Sequence, residues 1–235
     1  EDTFFFAAEG HLDGILDGGL RGFDTLVLDG GSFARVAYAA TGPDSGTIDR
    51  DGQIVAYAGL EPIVDNAIVA DWVFDPSAGL LDGHDRAELR WAGADYVNGP
   101  NYMVMESLDG HFETVFFRTP TGSITVDLGL GNDELIVGAF DPLFRGDLKI
   151  TGNVYGTGGD VLDAGGNDIT EHNDYDTVRF AQNVSLNGGS VNVEAERIIV
   201  GPNVVLDTRD RDGGGATVGD SGNIEFRGHR IDVQS

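Results

Sequence analysis

Hydrophobic and polar positions alternate along most of this chain in short runs with a period of two. The segments TVRF at residues 177–180 and SITVDL at residues 123–128 are examples. Such alternation places every second side chain on one face of a sheet. Few stretches of about eleven residues carry apolar positions at helical spacing without an intervening Gly or Pro. The pattern therefore predicts an all-β chain.

Sixteen segments carry the strand pattern, and Gly, Asn or Asp bounds most of them. Many short strands with turn residues about every 8–12 positions are typical of a sandwich, a barrel or a solenoid. The predicted strands cover residues 24–28, 53–57, 67–70, 87–91, 102–105, 114–117, 123–128, 134–137, 147–150, 177–180, 184–186, 191–193, 197–200, 204–206, 223–226 and 230–233.

An internal repeat favours the solenoid. Residues 189–200 align with residues 222–233 at an offset of 33, and each copy holds two short strands separated by a turn. Residues 122–126 and 146–150 form a looser pair. A unit this small cannot bury its own apolar face, whereas stacked units cover one another. We therefore predict one elongated β-solenoid domain over residues 1–235, with a β-sandwich as the alternative.

Residues 61–120 differ in composition from the rest of the chain. They hold both tryptophans, both methionines and four of the seven prolines. Longer and less regular strands are expected here, as an irregular excursion from the solenoid or a lateral module at 61–120. Its aromatic side chains form either a platform that stacks on carbohydrate or an ordinary core beneath a loop.

Charge and composition restrict the partners of the chain. It has 40 acidic and 14 basic residues, for a net charge of −26, and such a field repels nucleic acid and anionic membrane surfaces. No apolar run approaches the roughly 20 residues of a membrane helix, so membrane insertion is not expected.

The chain has no cysteine, which excludes disulfides and zinc sites built on thiolates. Because it does not begin with Met, we expect it to derive from a longer or processed protein.

The acidic residues are mostly aspartate, and glycine is abundant. There are 29 Asp against 11 Glu, together with 36 Gly. Asp and Gly favour turns, and Asp carboxylates bind hard cations. Calcium at these turns would stabilise a secreted chain that lacks disulfides. The alternative is that the acidity only keeps the protein soluble.

Three segments, at residues 18–26, 128–135 and 164–169, approach a calcium-binding nonapeptide in which glycines precede Asp and a large apolar residue. Residues 173–178 closely follow the third. Glycine lets backbone carbonyls point into the turn, and Asp adds a carboxylate at calcium-binding reach. The alternative at each segment is a Gly-Asp turn that only begins a strand. The predicted metal ligands are Asp24, Gly131, Asp133, Asp168, Asp174 and Asp176.

Catalytic signatures are missing from the sequence. It contains no Gly-x-Ser-x-Gly, no His-Glu-x-x-His and no phosphate-binding loop. Asp82, His84 and Asp85 form the one acid–histidine cluster that would merit a test as a lyase or hydrolase site. We expect a non-enzymatic protein. The histidines are otherwise scattered, at positions His11, His84, His111, His172 and His229.

Several segments resemble parts of very large bacterial extracellular proteins that carry hemolysin-type (repeats-in-toxin) and filamentous-hemagglutinin-like repeats. The first of them is SGTIDRDGQIVAY at residues 45–57. The last two are similar to hemagglutinin-type β-helix repeats. The resemblance covers residues 45–57, 59–66, 112–117, 120–135, 140–152, 204–209 and 221–226.

The resemblance implies a right-handed parallel β-helix at the cell surface or outside the cell, with calcium ligation by Asp24, Asp133 and Asp168. The predicted function is a calcium-stabilised structural or adhesive module of a secreted bacterial cell-surface protein. One alternative is a subunit of an extracellular filament or surface layer, whose partners are neighbouring copies bound end to end. Another is a β-helix that binds or cleaves carbohydrate, such as cell-surface glycans.

Overall fold

The computed structural model describes residues 1–19, 22–75, 84–94, 96–129, 131–152, 175–210 and 219–235. These residues form strands and turns without a helix, so the all-β prediction is confirmed. No helix that could cross a membrane is found in these ranges.

The described residues contain twenty-one strands. In chain order they are β1 (Thr3–Ala7), β2 (Ile15–Asp17), β3 (Thr25–Asp29), β4 (Ser32–Gly42), β5 (Ser45–Arg50), β6 (Gln53–Ala58), β7 (Ile63–Asp65), β8 (Ile68–Asp75), β9 (Arg86–Trp91), β10 (Tyr102–Ser107), β11 (Val115–Arg118), β12 (Ser123–Asp127), β13 (Glu134–Val137), β14 (Asp147–Thr151), β15 (Thr177–Phe180), β16 (Val184–Ser185), β17 (Val191–Glu194), β18 (Arg197–Val200), β19 (Leu206–Asp207), β20 (Ile224–Arg227) and β21 (Arg230–Val233).

Most strands belong to two large sheets, and the chain passes back and forth between them. The ten-stranded sheet has the order β1-β3-β7-β11-β10-β9-β13-β15-β18-β21. The nine-stranded sheet has the order β2-β6-β5-β4-β8-β12-β14-β17-β20, and β16 pairs with β19 in a third, small sheet. Among the described residues, fourteen strand pairs are parallel and four are antiparallel.

The four antiparallel pairs come from two meanders, one in each large sheet. Strands β4, β5 and β6 form the first, and strands β9, β10 and β11 form the second. Each meander adds two strands to one sheet only, so the two sheets keep nearly equal widths. The second meander lies within residues 61–120, and its outer strands pair with β7 and β13. It is therefore continuous with the ten-stranded sheet.

The internal repeat corresponds to strands that pair in register. Val191 lies beside Ile224 and Arg197 lies beside Arg230, both at the offset of 33 residues seen in the sequence. The looser repeat behaves in the same way, because Ser123 of β12 lies beside Asp147 of β14. Sequence-related segments thus stack directly on one another.

A column of glycines lets successive strands of the nine-stranded sheet begin close together. A Cβ atom on Gly189 would lie 1.9 Å from the carbonyl oxygen of Gly146. A Cβ atom on Gly146 would lie 2.1 Å from the carbonyl oxygen of Gly122, and one on Gly222 would lie 2.2 Å from that of Gly189. Only glycine fits at these positions, which explains the Gly before each of these strands.

One hydrophobic core contains side chains from both large sheets. Trp72 of β8 stacks on Phe117 of β11 across this core, with ring centroids 3.7 Å apart. Trp72, Met103 and Met105 are fully buried. These residues, which give the stretch 61–120 its distinct composition, are therefore part of the core.

Candidate metal centre beside a column of buried carboxylates

Buried carboxylates stand in a column where the chain enters the ten-stranded sheet. Asp85, Asp133, Asp176 and Glu196 directly precede the adjacent strands β9, β13, β15 and β18, and each is at most 3% exposed. These strands are parallel and in register, so the four residues follow one another along the sheet. We call these four residues the carboxylate column.

Two members of the carboxylate column, Asp133 and Asp176, satisfy backbone donors at the starts of strands. Asp133 Oδ1 accepts the backbone N–H of Asp85 at 2.7 Å, and Asp176 Oδ1 accepts that of Asp133 at 3.1 Å. Asp24, before β3, likewise accepts the N–H of Asp2 at 2.6 Å. A buried N–H without an acceptor is costly, so these contacts stabilise the beginnings of the strands.

The structure places the predicted calcium ligands in different surroundings. Asp133 and Asp176 are neighbours in the carboxylate column, and Gly131 lies in the turn before Asp133 with a φ of 132°. Asp24 occupies the corresponding position before β3. Asp168 and Asp174 lie outside the described residues. Calcium binding by these residues stays a prediction.

The side chains of Asp85, the first residue of the column, and of Asp109 and His111 form a group able to hold a metal ion. Each offers one ligand atom, and the three atoms lie within 4.8 Å of one another. His111 Nδ1 is 3.0 Å from Asp85 Oδ1 and 3.8 Å from Asp109 Oδ2. Asp85 precedes β9 whereas the other two follow β10, so the antiparallel pairing of β9 and β10 brings the three together.

Hydrogen bonds hold the turn that carries two of these residues. The backbone N–H of Arg86 donates to Asp109 Oδ2 at 2.7 Å, and the Ser107 hydroxyl donates to Asp109 Oδ1 at 2.9 Å. Ser107 Oγ also accepts the N–H groups of Gly110 and His111, at 2.9 and 3.0 Å. The carboxylate and the imidazole are thus positioned before any ligand arrives.

Asp85 sits in an unfavourable environment for a charge. Burial raises the pKa of its carboxyl, while the hydrogen bond and charge interaction with His111 oppose that rise. Asp85 is 1% exposed, and its Oδ2 has no hydrogen-bond partner among the described residues. A bound cation would compensate this buried oxygen, because an unsatisfied buried carboxylate is costly.

The structure describes two residues of the predicted acid–histidine cluster at 82–85, His84 and Asp85. Asp85 belongs to the group with Asp109 and His111 that could hold a metal ion, and Asp82 lies outside the described residues. His84 Nδ1 instead accepts the backbone N–H of Asn132, in the turn before Asp133. Asp109 was not predicted as a ligand, and His111 was noted only as one of the scattered histidines. The signal that identifies them is the turn sequence from Ser107 to His111, read together with the pairing of β9 and β10.

A second group of buried polar side chains lies between the sheets. The hydroxyl of Tyr57 donates to Glu113, and that of Tyr38 donates to Asp65 at 2.6 Å. Burial raises the pKa of Glu113 to about 7 and also raises the pKa of Asp65. Arg50 is fully buried nearby. This group is enclosed in the core, so we assign it a structural role.

No protein-family model, curated protein or solved structure matches the chain. Its function is therefore inferred from its own residues and their geometry.

Proposed function

We propose that the chain is a rigid structural or adhesive module of a secreted bacterial cell-surface protein, built as a right-handed parallel β-helix and stabilised by calcium at its Gly-Asp turns. The observation that carries this proposal is the parallel pairing that continues through both sheets. It runs from β8 through β12, β14 and β17 to β20 in one sheet, and from β9 through β13, β15 and β18 to β21 in the other. Such stacking produces a stiff element that lengthens by repetition.

The small third sheet supports the β-helix over the sandwich. Strand β16 lies between β15 and β17 in the chain, and β19 lies between β18 and β20. The two pair in parallel, with Val184 beside Leu206. Two successive passes of the chain thus contribute strands to three sheets, which supports the coil arrangement of a parallel β-helix. A sandwich of the immunoglobulin type is built from antiparallel sheets, in contrast to the mostly parallel pairs here.

Deletion of residues 190–222 tests the β-helix. It removes 33 residues, the length of the repeat offset, and places Asn223 directly after Gly189. Strand β20 can then take the place of β17. We expect a shorter protein that still unfolds cooperatively, with a lower midpoint because one interface between repeats is lost. The control deletion of residues 190–195 removes β17 alone and shifts β18 out of phase. Equal loss of cooperative unfolding in both variants would contradict the β-helix.

The cellular role is tested by location and by loss of function. Antibodies raised against the recombinant chain should label intact cells of the source organism without permeabilisation. A strain that lacks the coding segment should adhere to surfaces or to other cells less than its parent does. Labelling that appears only after lysis, with unchanged adhesion of the deletion strain, would refute the proposal.

A subunit of an extracellular filament is the second candidate. Ile224, Ile231 and Val233 are exposed, and they lie on β20 and β21. Within the described residues each of these strands pairs on one side only. Open strand edges with apolar side chains promote pairing with another chain. Light scattering at millimolar calcium should then show assembly that grows with concentration and is weakened by Ile231→Lys. A monomer at every concentration would contradict this candidate.

A further inference from the structure

We infer that Asp85, Asp109 and His111 bind a divalent first-row transition metal, represented here by Zn²⁺. The site goes beyond the proposed structural role. It also differs from the predicted calcium positions in both its residues and its donor atoms.

The distances between the ligand atoms suit one small ion. In a tetrahedral zinc site with bonds of about 2.0–2.2 Å, neighbouring ligand atoms lie about 3.3–3.6 Å apart. The separations from His111 Nδ1 to Asp85 Oδ1 and to Asp109 Oδ2 are 3.0 and 3.8 Å, which bracket that range. Small side-chain movements would therefore place the three atoms around a single ion.

The donor set distinguishes a transition metal from calcium. Imidazole nitrogen suits zinc and its first-row neighbours, whereas calcium takes about six to eight oxygen ligands. The metal-ligating group in the described part of the chain supplies two carboxylates and one imidazole. Three protein ligands with a fourth position left for water is a common arrangement for zinc.

The contrast between one buried and two accessible side chains supports binding independently of the distances. Asp85 is 1% exposed; its Oδ1 contacts His111, and its Oδ2 lacks a hydrogen-bond partner among the described residues, so the buried carboxylate keeps one oxygen that a bound cation would help to compensate. The side chains of His111 and Asp109 are 47% and 21% exposed, which leaves a path for an ion to enter from solvent. The site therefore combines a buried anchor with two accessible ligands.

A similar pair elsewhere in the carboxylate column provides a matched control. His229 Nδ1 lies 2.8 Å from Glu196 Oε2, and the Glu196 side chain is 4% exposed. Within the described residues, no third Asp, Glu or His completes this pair into a metal-ligating group. Substitution of His229 removes an imidazole beside a buried acid without touching the proposed site.

The test uses the full chain, freed of metal with a chelator and dialysed. Calorimetric titration with ZnCl₂ should give one site per chain, and Co²⁺ should give the visible absorption bands of a protein-bound ion. His111→Ala and Asp109→Asn should each weaken Zn²⁺ binding about tenfold or more, while His229→Ala should bind as the wild type does. Ser107→Ala removes the hydroxyl that positions Asp109, so it should weaken binding without abolishing it.

Three outcomes would overturn the inference. They are the absence of Zn²⁺ and Co²⁺ binding by the wild type, equal binding by the His111 and Asp109 variants, and displacement of Co²⁺ by equimolar Ca²⁺. Both substitutions lie at accessible side chains, and circular dichroism checks that each variant keeps its strands. The Co²⁺ spectrum of the wild type is a readout that does not depend on any variant. None of these measurements depends on whether the chain is a surface module.

Discussion

The carboxylate of Asp133 accepts the backbone N–H of Asp85 at 2.7 Å and thereby joins two segments 48 residues apart. The bond forms where two parallel strands begin, because Glu134 of β13 lies beside Arg86 of β9. The same relationship recurs one strand further along, between Asp176 and Asp133. These two hydrogen bonds of the carboxylate column thus help to align the beginnings of adjacent strands.

Loss of a carboxylate from this column should destabilise the protein. Asp133→Ala leaves the buried N–H of Asp85 without this acceptor, at a cost of about 1–3 kcal/mol in the free energy of unfolding. Urea unfolding measures the change. Asp13→Ala is the control, because the Asp13 side chain is 92% exposed. Equal stability of the two variants would show that the column contributes nothing.

Adding a methyl group to the glycine column should be poorly tolerated. In Gly189→Ala the new Cβ would lie 1.9 Å from the Gly146 carbonyl oxygen, so the strands must separate. We expect a loss of about 1–3 kcal/mol or more, as for other overpacked sites. Gly14→Ala provides the control, since a Cβ there meets no atom within 4 Å. Thermal unfolding of both variants measures the difference. Similar midpoints would contradict the close approach of Gly189 to the Gly146 carbonyl.

Glu113 should make stability depend on pH. Burial raises the pKa of its carboxyl from 4.5 to about 7, while the hydrogen bond from Tyr57 opposes the rise. Between these values the folded protein keeps a proton that the unfolded chain has lost, so the contribution of Glu113 to stability falls as pH rises from about 4.5 to 7. The size is at most about 3 kcal/mol, from 1.36 kcal/mol per pKa unit.

Glu113→Gln isolates this effect, because the amide oxygen can still accept from Tyr57 but the side chain does not titrate. The unfolding free energy of the wild type, relative to the variant, should decrease between pH 5 and pH 8. Other carboxylates titrate in both proteins and cancel in the difference. A difference that stays constant across this range would contradict the raised pKa.

Arg50 and Asp65 should be energetically coupled. The Arg50 guanidinium lies 4.9 Å from the ring centroid of Phe6 and 5.1 Å from that of Phe33. Burial raises the pKa of Asp65, and the hydrogen bond from Tyr38 and the positive charge of Arg50 oppose the rise. Arg50→Met removes that charge while Asp65 stays buried, so it should be strongly destabilising.

A double-mutant cycle with Asp65→Asn measures the coupling. The double variant should be more stable than the sum of the single changes predicts, by about 0.5–3 kcal/mol. Denaturant unfolding of the four proteins gives this value. Strict additivity would mean that the two charges do not interact.

Calcium should raise the thermal unfolding midpoint relative to chelator at fixed ionic strength. A single site at 100 times its Kd adds about 2.7 kcal/mol. Magnesium at the same concentration controls for general screening of the net charge of −26. Asp24→Asn tests one predicted ligand. Identical midpoints with calcium and chelator would mean that the acidic residues are solvated surface charges and do not form calcium sites.

Much of the fold was predicted from local alternation. The bounds of β13, β15, β18 and β21 agree with the predicted segments, and in β13 and β15 every second side chain is buried. The offset of 33 residues predicted stacked repeats, and the strands of this repeat pair at that offset. Burial on one face imposes a period of two on a strand, so this information is present in the local sequence.

Other strands depend on their partners. Strand β4 (Ser32–Gly42) was not predicted, because its Ala and Gly residues have low strand propensity. It forms between β5 and β8, which pair with it on either side. The meanders likewise insert antiparallel strands into parallel sheets, and nothing in the local pattern distinguishes the two directions.

The candidate site likewise has one part that the local sequence predicts and another that depends on strand pairing. The sequence by itself determined that Asp133 and Asp176 stand directly before strands, because a turn residue followed by alternating apolar residues is a local pattern; the structure extends β9 to Arg86 and so gives Asp85 the same position. That Asp85 meets His111, 26 residues later, was decided only by the tertiary structure. The contact depends on the antiparallel pairing of β9 with β10, because this pairing brings the start of β9 next to the turn that follows β10.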